Sequence, residues 1–141
     1  MPLTHIEKFK VRYTECDQYG HVNNANYLRY MQEAAFGASA KAGYDFAKYD
    51  EIGQYWLVRE TDVEYLKPLR YQDELEIKTW VQDFRRVRSR RLYEFRLSGS
   101  DELIARAATD WVYLDLKTGR PVTVPAEMIS AFFPEGAPLQ A

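Results

Sequence analysis

The chain is poor in the residues that build disulfides and metal sites. Among its 141 residues there are 1 cysteine and 2 histidines. A single cysteine excludes a disulfide within the chain and fits a reducing compartment. So few Cys and His side chains also argue against a zinc site, so no metal is expected. A Gly-rich phosphate loop of the nucleotide-binding type does not occur either.

The sequence also lacks long apolar runs and an excess of charge of either sign. The N-terminal stretch Met1-Pro2-Leu3-Thr4-His5 has no apolar signal-peptide core, and no run approaches membrane-spanning length. The formal net charge of −2 gives no attraction to nucleic acid or to a membrane surface. The expectation is therefore a cytoplasmic protein without nucleic-acid or membrane partners.

What the chain has in quantity is apolar and aromatic side chains. Hydrophobic residues make up 46% of the sequence, aromatic residues 15% and charged residues 28%, and 11 residues are tyrosines. This composition and length predict one globular domain over 1–141 that buries a core without disulfides or metal.

The order of the periodic segments predicts one long helix and a sheet. Alternation at Phe9, Val11 and Tyr13 predicts a first strand, and apolar residues at three- and four-residue steps predict a helix over 24–42. The remaining predicted elements are four strands and a short closing helix, over 55–66, 73–84, 89–97, 103–116 and 125–132. Small residues in the second half of the long helix indicate that the sheet wraps closely around it. The predicted fold class is α+β, with a curved, five-stranded antiparallel meander.

An open sheet of this kind has two free edges. Pairing two copies edge to edge covers one of these edges in each copy, which prevents uncontrolled association. A homodimer or a homotetramer is therefore expected.

A polar turn joins the first strand to the long helix. Asp17 stands three residues before Gly20, where the backbone can bend freely, and Asn23 and Asn24 offer side-chain oxygens to cap the helix start. This arrangement holds a carboxylate beside helical N–H groups with partial positive charge, where a carbonyl can be attacked or polarised. The same residues also describe an ordinary capped turn, and the pattern alone leaves both interpretations open.

The order of strand, Asp turn, small-residue helix and four strands resembles the hotdog fold. Within it, the segment Asp-Gln-Tyr-Gly-His-Val-Asn-Asn-Ala-Asn-Tyr resembles the signature of the 4-hydroxybenzoyl-CoA-thioesterase-like acyl-CoA thioesterases. The fixed points of that signature stand here as Asp17, Gly20, Val22 and Tyr27.

This resemblance implies hydrolysis of an acyl thioester to a free acid and coenzyme A at a dimer interface. Asp17 is then the nucleophile or the general base, and backbone N–H groups near Asn24 and Ala25 polarise the thioester carbonyl. The partner subunit is expected to contribute side chains from its second strand, with Glu60 and Thr61 as the candidates. No cofactor is implied, because coenzyme A is part of the substrate.

Further candidate substrate contacts lie in the turn and in one basic cluster. In the turn they are Gly20, His21, Val22, Asn23 and Tyr27. In the cluster, which spans residues 85–91, they are Arg86, Arg88, Ser89 and Arg90. By the same resemblance, the guanidinium groups of this cluster clamp the phosphates of coenzyme A, which their planar forks suit. The alternative is a solvated turn that balances nearby acidic side chains, and the sequence does not decide between the two.

The acyl group and its carrier also stay open. Asn23 and Asn24 stand where the hydroxybenzoyl type has an aromatic residue and a histidine, so an aromatic substrate is not implied. The Gly-His-Val-Asn-Asn form also recurs in acyl-carrier-protein thioesterases. A non-catalytic acyl-CoA-binding module is the alternative of a different class. A hydratase or dehydratase is a further one, which His21 and Glu33 match poorly.

Two more residues near this segment carry chemistry. Glu33 in the middle of the helix is a second candidate carboxylate, although its neighbours favour a solvated or interface position. Cys16 adjoins the turn, but no base is spaced to activate it, so it is interpreted as a packing residue.

Overall fold

Over residues 2–136 the protein forms three helices and five strands, and the long helix, the closing helix and the five strands follow the predicted order. The computed structural model describes residues 2–136, so Met1 and 137–141 of the predicted domain lie outside the described residues. The elements in chain order are β1 His5–Lys10, α1 Asn24–Lys41, α2 Phe46–Ile52, β2 Gln54–Tyr65, β3 Glu74–Arg85, β4 Arg88–Leu97, β5 Leu103–Asp115 and α3 Ala126–Phe132.

The first strand lies earlier in the chain than predicted. It ends at Lys10, and the chain then makes a 3₁₀ turn over Tyr13–Glu15. Tyr13, predicted to face the core, is 77% exposed. The alternation of Phe9 and Val11 with charged residues is real, but it continues beyond the residues that pair with β3.

All neighbouring strands of the sheet are antiparallel, in the order β1-β3-β4-β5-β2. The predicted meander therefore holds only for β3, β4 and β5, and it is wrong for β2, which pairs with β5 at the far edge. The physical reason lies in the segment after β2. Leu69 and Tyr71 form backbone hydrogen bonds with Val22 and Gly20, so the chain cannot return as a hairpin from β2 into β3.

Helix α1 packs against the inner face of the sheet, as its small residues predict. Ala34 is fully buried, and a Cβ atom added at Gly37 would collide with the side chains of His5 and Glu7 on β1. The larger apolar cluster surrounds the first half of this helix and includes Tyr30, with Ile77 and Phe95 from the sheet among its fully buried members.

A second apolar cluster lies at the other end of the sheet. Helix α3 covers it with Met128 and Phe132, which pack with Phe84 and Tyr113. The predicted closing helix therefore belongs to the core. Within residues 2–136, no helix is long and apolar enough to cross a membrane.

One buried hydroxyl distinguishes this second cluster. Within residues 2–136, Tyr113 Oη is the side-chain oxygen or nitrogen that is closed off from solvent and has no hydrogen-bond partner in the protein. The Tyr113 ring itself packs well, with its centroid 4.7 Å from that of Trp56. Tyr93 offers a contrast, because its buried hydroxyl shares a 2.9 Å hydrogen bond with Thr109 Oγ1.

We expect Tyr113→Phe to raise the free energy of unfolding by about 1 kcal/mol, because it removes a desolvated hydroxyl that has no protein partner. Tyr93→Phe should lower it by about 1 kcal/mol, because it leaves Thr109 with one hydrogen bond fewer. Chemical denaturation of both variants measures the difference. Equal destabilisation by the two substitutions would contradict the expected contrast.

Candidate active site

The Asp17 turn is a small hairpin closed by backbone pairing between Cys16 and Val22. The Asp17 Oδ1 atom accepts hydrogen bonds from the N–H groups of Tyr19 at 2.8 Å and His21 at 3.1 Å. Gly20 makes the bend with a φ of 79°, in the left-handed region that favours glycine. Both hydrogen bonds use one oxygen, and the side chain is exposed. The turn thus orients the carboxylate through its Oδ1 atom, and the Oδ2 atom takes no part in these two hydrogen bonds.

A second carboxylate, buried directly before this hairpin, ties it to α1. Glu15 is 7% exposed, and its Oε1 atom accepts hydrogen bonds from Tyr30 Oη at 2.7 Å and from Arg12 N–H at 2.8 Å. The Arg12 guanidinium donates to Glu15 Oε2 at 3.0 Å. The Glu15 carbonyl accepts from Asn23 N–H and from Asn26 Nδ2, both at 2.9 Å. One residue therefore connects the end of β1, the hairpin and the helix start.

The charge of Glu15 is stabilised in this position. Burial alone would raise the pKa of Glu15, but the hydrogen bonds from the Arg12 N–H and the Tyr30 hydroxyl, together with the Arg12 guanidinium, outweigh it and lower the pKa. The pKa of Tyr30 is raised, first by burial and then by this hydrogen bond to a carboxylate. Glu15 thus remains an ionised acceptor at neutral pH.

The start of α1 agrees with the capping prediction but changes the predicted carbonyl site. Asn23 is the cap residue, and its Oδ1 atom accepts the N–H of Ala25 at 2.9 Å. The Ala25 N–H, predicted to polarise the carbonyl, is therefore already engaged within the chain. The Asn24 N–H stands at the first helical position, where the helix itself offers no acceptor.

Two predicted substrate contacts are core residues instead. Tyr27 is 2% exposed, with its ring centroid 4.9 Å from that of Tyr65 and 5.6 Å from that of Phe95. Val22 is 7% exposed, and its N–H donates to the Leu69 carbonyl. Both predictions are corrected by this burial, which leaves neither side chain a surface for a ligand.

Cys16 is confirmed as a packing residue. Its side chain is partly buried against the larger apolar cluster, and its Sγ atom lies 3.7 Å from the Arg12 carbonyl oxygen. Burial, followed by the charges of Asp17 and Glu15, raises the pKa of the Cys16 thiol. A thiol that stays protonated is a poor nucleophile.

The basic cluster falls apart into side chains with different surroundings. Arg86 and Arg88 are exposed, and neither forms an ion pair with another of the residues described. Arg90 Nη1 lies 2.9 Å from Asp110 Oδ2. Ser89 is buried, and its hydroxyl donates to the Asp83 carbonyl at 3.0 Å. Only Arg86 and Arg88 of the predicted set are therefore unengaged cations.

Glu60 and Thr61 lie in the middle of β2 and are exposed. Glu60 and Arg88 line the same groove of about 320 Å³ in one chain. Glu33 is also exposed, and it lines a different groove with Arg12 and Glu15. Glu33 stands nine positions after Asn24 in the helix, a rise of about 14 Å. Glu33 is thus not part of the Asp17 turn.

The Asp17 turn and the Arg86–Arg88 turn lie at opposite ends of the sheet in one chain. The first is bonded to residues 69–71, just before β3, and the second follows the last residue of β3. A strand of 12 residues spans up to about 36 Å between its ends. One chain therefore does not bring the predicted carboxylate and the predicted phosphate clamp together.

Sequence reasoning missed Glu15, Tyr30 and Asn26, the residues that hold the turn. Asn26 is 6% exposed, and an Asn in the first turn of a helix does not by itself predict such burial. The one available signal was the spacing of Arg12 and Glu15, which places an acid three residues after a base. That spacing also describes a common surface ion pair, so it does not indicate burial.

Comparisons with known proteins show the family and the fold of the chain. Residues 11–132 match the thioesterase-like superfamily. The acyl-acyl carrier protein thioesterase ATL3 of Arabidopsis thaliana is 31% identical over 132 residues, which cover 91% of this chain and 67% of that protein. The long-chain acyl-CoA thioesterase FadM of Escherichia coli is 26% identical over 122 residues, covering 86% of this chain and 91% of that protein. The crystal structure of a DHNA-CoA thioesterase from Staphylococcus aureus superposes with a TM-score of 0.79 at 26% identity, covering 94% of this chain and 85% of that one.

We expect Glu15→Gln to cost about 1–3 kcal/mol at pH 7, because it removes the charge that Arg12 and Tyr30 stabilise. The pKa of Glu15 is lowered in the folded state, so its contribution is present above the unfolded value of 4.5 and is lost as the pH falls through the folded value. The difference between native protein and variant should therefore shrink below pH 4.5. Denaturant unfolding at a series of pH values measures it.

Tyr30→Phe serves as the matched variant, because it removes one of the hydrogen bonds that lower the pKa of Glu15. Its effect should have the same sign and pH trend and a smaller size. A stability difference for Glu15→Gln that is independent of pH would contradict the role given to the Glu15 charge.

Proposed function

Because the chain belongs to the thioesterase-like superfamily and is a thioester hydrolase of the hotdog fold, we propose that its substrate is an acyl-CoA and that Asp17 is its catalytic carboxylate. The observation that carries this proposal is the Asp17 turn itself. The carboxylate is exposed and held by two backbone N–H groups on one oxygen. Such a group is oriented before the substrate arrives, which favours reaction over reorganisation.

The chemistry requires little more than this carboxylate and a site for the developing negative charge. As a general base, Asp17 takes a proton from water while the water oxygen attacks the thioester carbon. The carbon–sulfur bond then breaks, and the proton passes to the departing thiolate of coenzyme A. As a nucleophile, Asp17 attacks the same carbon directly and expels the thiolate of coenzyme A, and water then hydrolyses the resulting anhydride to the free acid and the Asp17 carboxylate. Both routes need a negatively charged side chain at this position.

The start of α1 supplies the group that polarises the carbonyl. The Asn24 N–H is the free donor there, and the helix dipole adds partial positive charge. Asn23 supports it indirectly by holding the first helical turn. Gly20 and His21 lie in the turn beside the carboxylate, and the partly exposed His21 side chain can contact the substrate. A donor of this kind typically contributes about 2.7–4 kcal/mol to the transition state.

A second copy of the chain completes the site. β2 is an edge strand whose middle is exposed, including Leu57 at 49% and Val58 at 40%. If two copies pair through antiparallel β2 strands, the start of one β2 lies beside the end of the other. The Arg86–Arg88 end of one copy then lies beside the Asp17 end of its neighbour, with Glu60 and Thr61 between them. This pairing brings the Asp17 turn of one copy close to the Arg86–Arg88 turn of the other, although the two turns lie far apart within one chain.

Two alternative functions differ from the proposed one, either in the group that carries the acyl chain or in whether a carboxylate at position 17 is needed. An acyl-carrier-protein thioesterase would keep Asp17 but would not need Arg86 and Arg88 to hold nucleotide phosphates. A non-catalytic acyl-CoA-binding module would keep the clamp without needing a carboxylate at position 17. The proposed reaction uses no further cofactor, because coenzyme A enters as part of the substrate.

We expect Asp17→Asn to reduce kcat for thiol release by at least about a hundredfold, because the side chain keeps its size but loses its charge. The measurement is thiol release from a panel of acyl-CoA thioesters. The acyl group with the highest kcat/KM identifies the substrate class.

The matched control is Asp45→Asn. Asp45 is also an exposed aspartate whose Oδ1 atom accepts a backbone N–H, that of Lys48 at 2.9 Å, but it caps α2 away from the turn. Its substitution should leave thiol release unchanged. Native protein that binds these thioesters and releases no thiol would support the binding module, and full turnover by Asp17→Asn would remove Asp17 from the reaction.

The paired substitution of Arg86 and Arg88 by Gln should raise KM for acyl-CoA about tenfold with little change in kcat, because a phosphate clamp acts equally in the ground and transition states. The same variant should hydrolyse the corresponding acyl-pantetheine thioester, which lacks the nucleotide, as well as native protein does. Arg120→Gln, at an exposed arginine in the loop after β5, is the control. An equal rise in KM for both thioesters would contradict the clamp.

A further inference from the structure

One arginine of the basic cluster is buried in an apolar cavity. Arg91 is 6% exposed and lines a cavity of about 230 Å³ between α1 and the inner face of the sheet. Its neighbours there are mostly aromatic, among them Trp56, Phe84 and Trp111. Arg90, one residue earlier, faces the other side of the sheet and pairs with Asp110. The alternation of β4 therefore turns one cation inward.

The charge of Arg91 is not balanced within the protein. Its Nη1 atom donates to Thr79 Oγ1 at 3.1 Å, and its Cζ atom lies 5.8 Å from the centroid of the Phe132 ring. Among the residues described, no carboxylate lies within ion-pair distance of it. A guanidinium has five N–H donors, so a neutral hydroxyl and an aromatic face leave most of its capacity unused.

This state is costly for a folded protein. A buried charge is ordinarily paired or is replaced by an apolar side chain, because its desolvation is expensive. Burial also lowers the pKa of the Arg91 guanidinium, the direction expected of a cation without an anion beside it. The cavity next to Arg91 has room for the missing partner, and its aromatic walls suit an apolar group attached to that partner.

We propose that this cavity binds a carboxylate carried on an apolar body, with the carboxylate paired to Arg91. Two oxygens in a plane match the guanidinium fork, whereas a methyl end would leave the charge unpaired. Phe36 and Phe46, whose exposed rings pack against each other with centroids 4.9 Å apart, also line this cavity.

This inference, where it concerns turnover, rests on the proposed thioesterase function and on the pairing of two copies. Tyr55 and Trp56, at the start of β2, line the cavity. The antiparallel pairing of β2 strands would set the start of one β2 beside the Asp17 end of its neighbour. The cavity then receives the far end of an acyl group whose thioester lies at Asp17 of the other copy. The free acid offers the same carboxylate chemistry as a second source.

The test compares thioesters that differ only at the far end of the acyl chain. Octanoyl-CoA ends in a methyl group, and the monothioester of octanedioic acid with CoA ends in a carboxylate. Native protein should prefer the carboxylate by at least about tenfold in kcat/KM, the size expected of a charge-assisted hydrogen-bonded pair. Arg91→Met should abolish this preference, and Arg91→Lys should retain part of it.

The variants are chosen so that folding and binding can be separated. Met is apolar and of similar length, and replacing an unpaired buried charge in this way is expected to preserve the fold or to stabilise it. Arg96→Met, on the same strand but facing outward and paired with Glu94, is the matched control and should keep the native preference. Thermal unfolding checks that each variant is folded. If Arg91→Met does not fold, the preference for the terminal carboxylate is compared between native protein and Arg91→Lys instead.

A binding measurement keeps the result independent of catalysis. Calorimetric titration of the Asp17→Asn protein with both thioesters tests the cavity even if native protein releases no thiol. Titration of native protein with octanoate and octanamide tests the free acid. Tighter binding of the octanedioic thioester than of octanoyl-CoA would show that the cavity holds the far end of the acyl group. Tighter binding of octanoate than of octanamide, with no difference between the two thioesters, would show that the cavity holds the free acid. Equal binding of both members in both pairs, or a preference that survives in Arg91→Met, would overturn the proposal.

Discussion

The arrangement of the site depends on one buried carboxylate, Glu15. Its side chain is held by Arg12 and Tyr30, and its carbonyl holds Asn23 and Asn26, so four hydrogen-bonded residues from the strand exit and the helix converge on it. Each of these contacts is buried or partly buried, where an unmade hydrogen bond is expensive. The hairpin that follows can therefore carry an exposed, unshared carboxylate without relying on its own few contacts for order.

This division between support and chemistry explains why two neighbouring acids differ. Glu15 is fully committed to structure, whereas Asp17 uses one oxygen for the turn and presents the other outward. The same division appears in the basic cluster. Arg90 is engaged by Asp110, Arg86 and Arg88 are exposed, and Arg91 is buried without an anion. Side chains whose charges have no counter-ion in the described part of the chain therefore lie at both ends of the sheet, Asp17 at one end and the unpaired arginines at the other. This pattern is expected when a substrate and a second copy of the chain supply the missing contacts.

The local elements could be predicted from the sequence, and the long-range partners could not. The long helix and the strands follow from periodicity and small residues, and the cap at Asn23 follows from residue type at a helix start. The separation of β2 from β3 depends on bonds between residues 69–71 and the Asp17 turn, which no local pattern records. A signature position does not tell whether its side chain faces a ligand or the core, so the pattern could not place Tyr27 in the core. Arg91 lies on the inward face of β4 with Tyr93 and Phe95, so the alternation of the strand predicts that its side chain points inward. The alternation does not tell whether a carboxylate is buried beside it, which depends on the packing of the other elements.

The proposed reaction requires the thioester carbonyl to lie between the Asp17 carboxylate and the start of α1. The most direct test is a crystal structure of the Asp17→Asn protein with an acyl-CoA bound, because this variant should hold its substrate without hydrolysing it. The account predicts the thioester carbon next to the substituted side chain, the carbonyl oxygen at the Asn24 N–H, and the nucleotide phosphates at Arg86 and Arg88 of the second copy. A thioester bound away from this turn, with the turn itself unchanged, would contradict it.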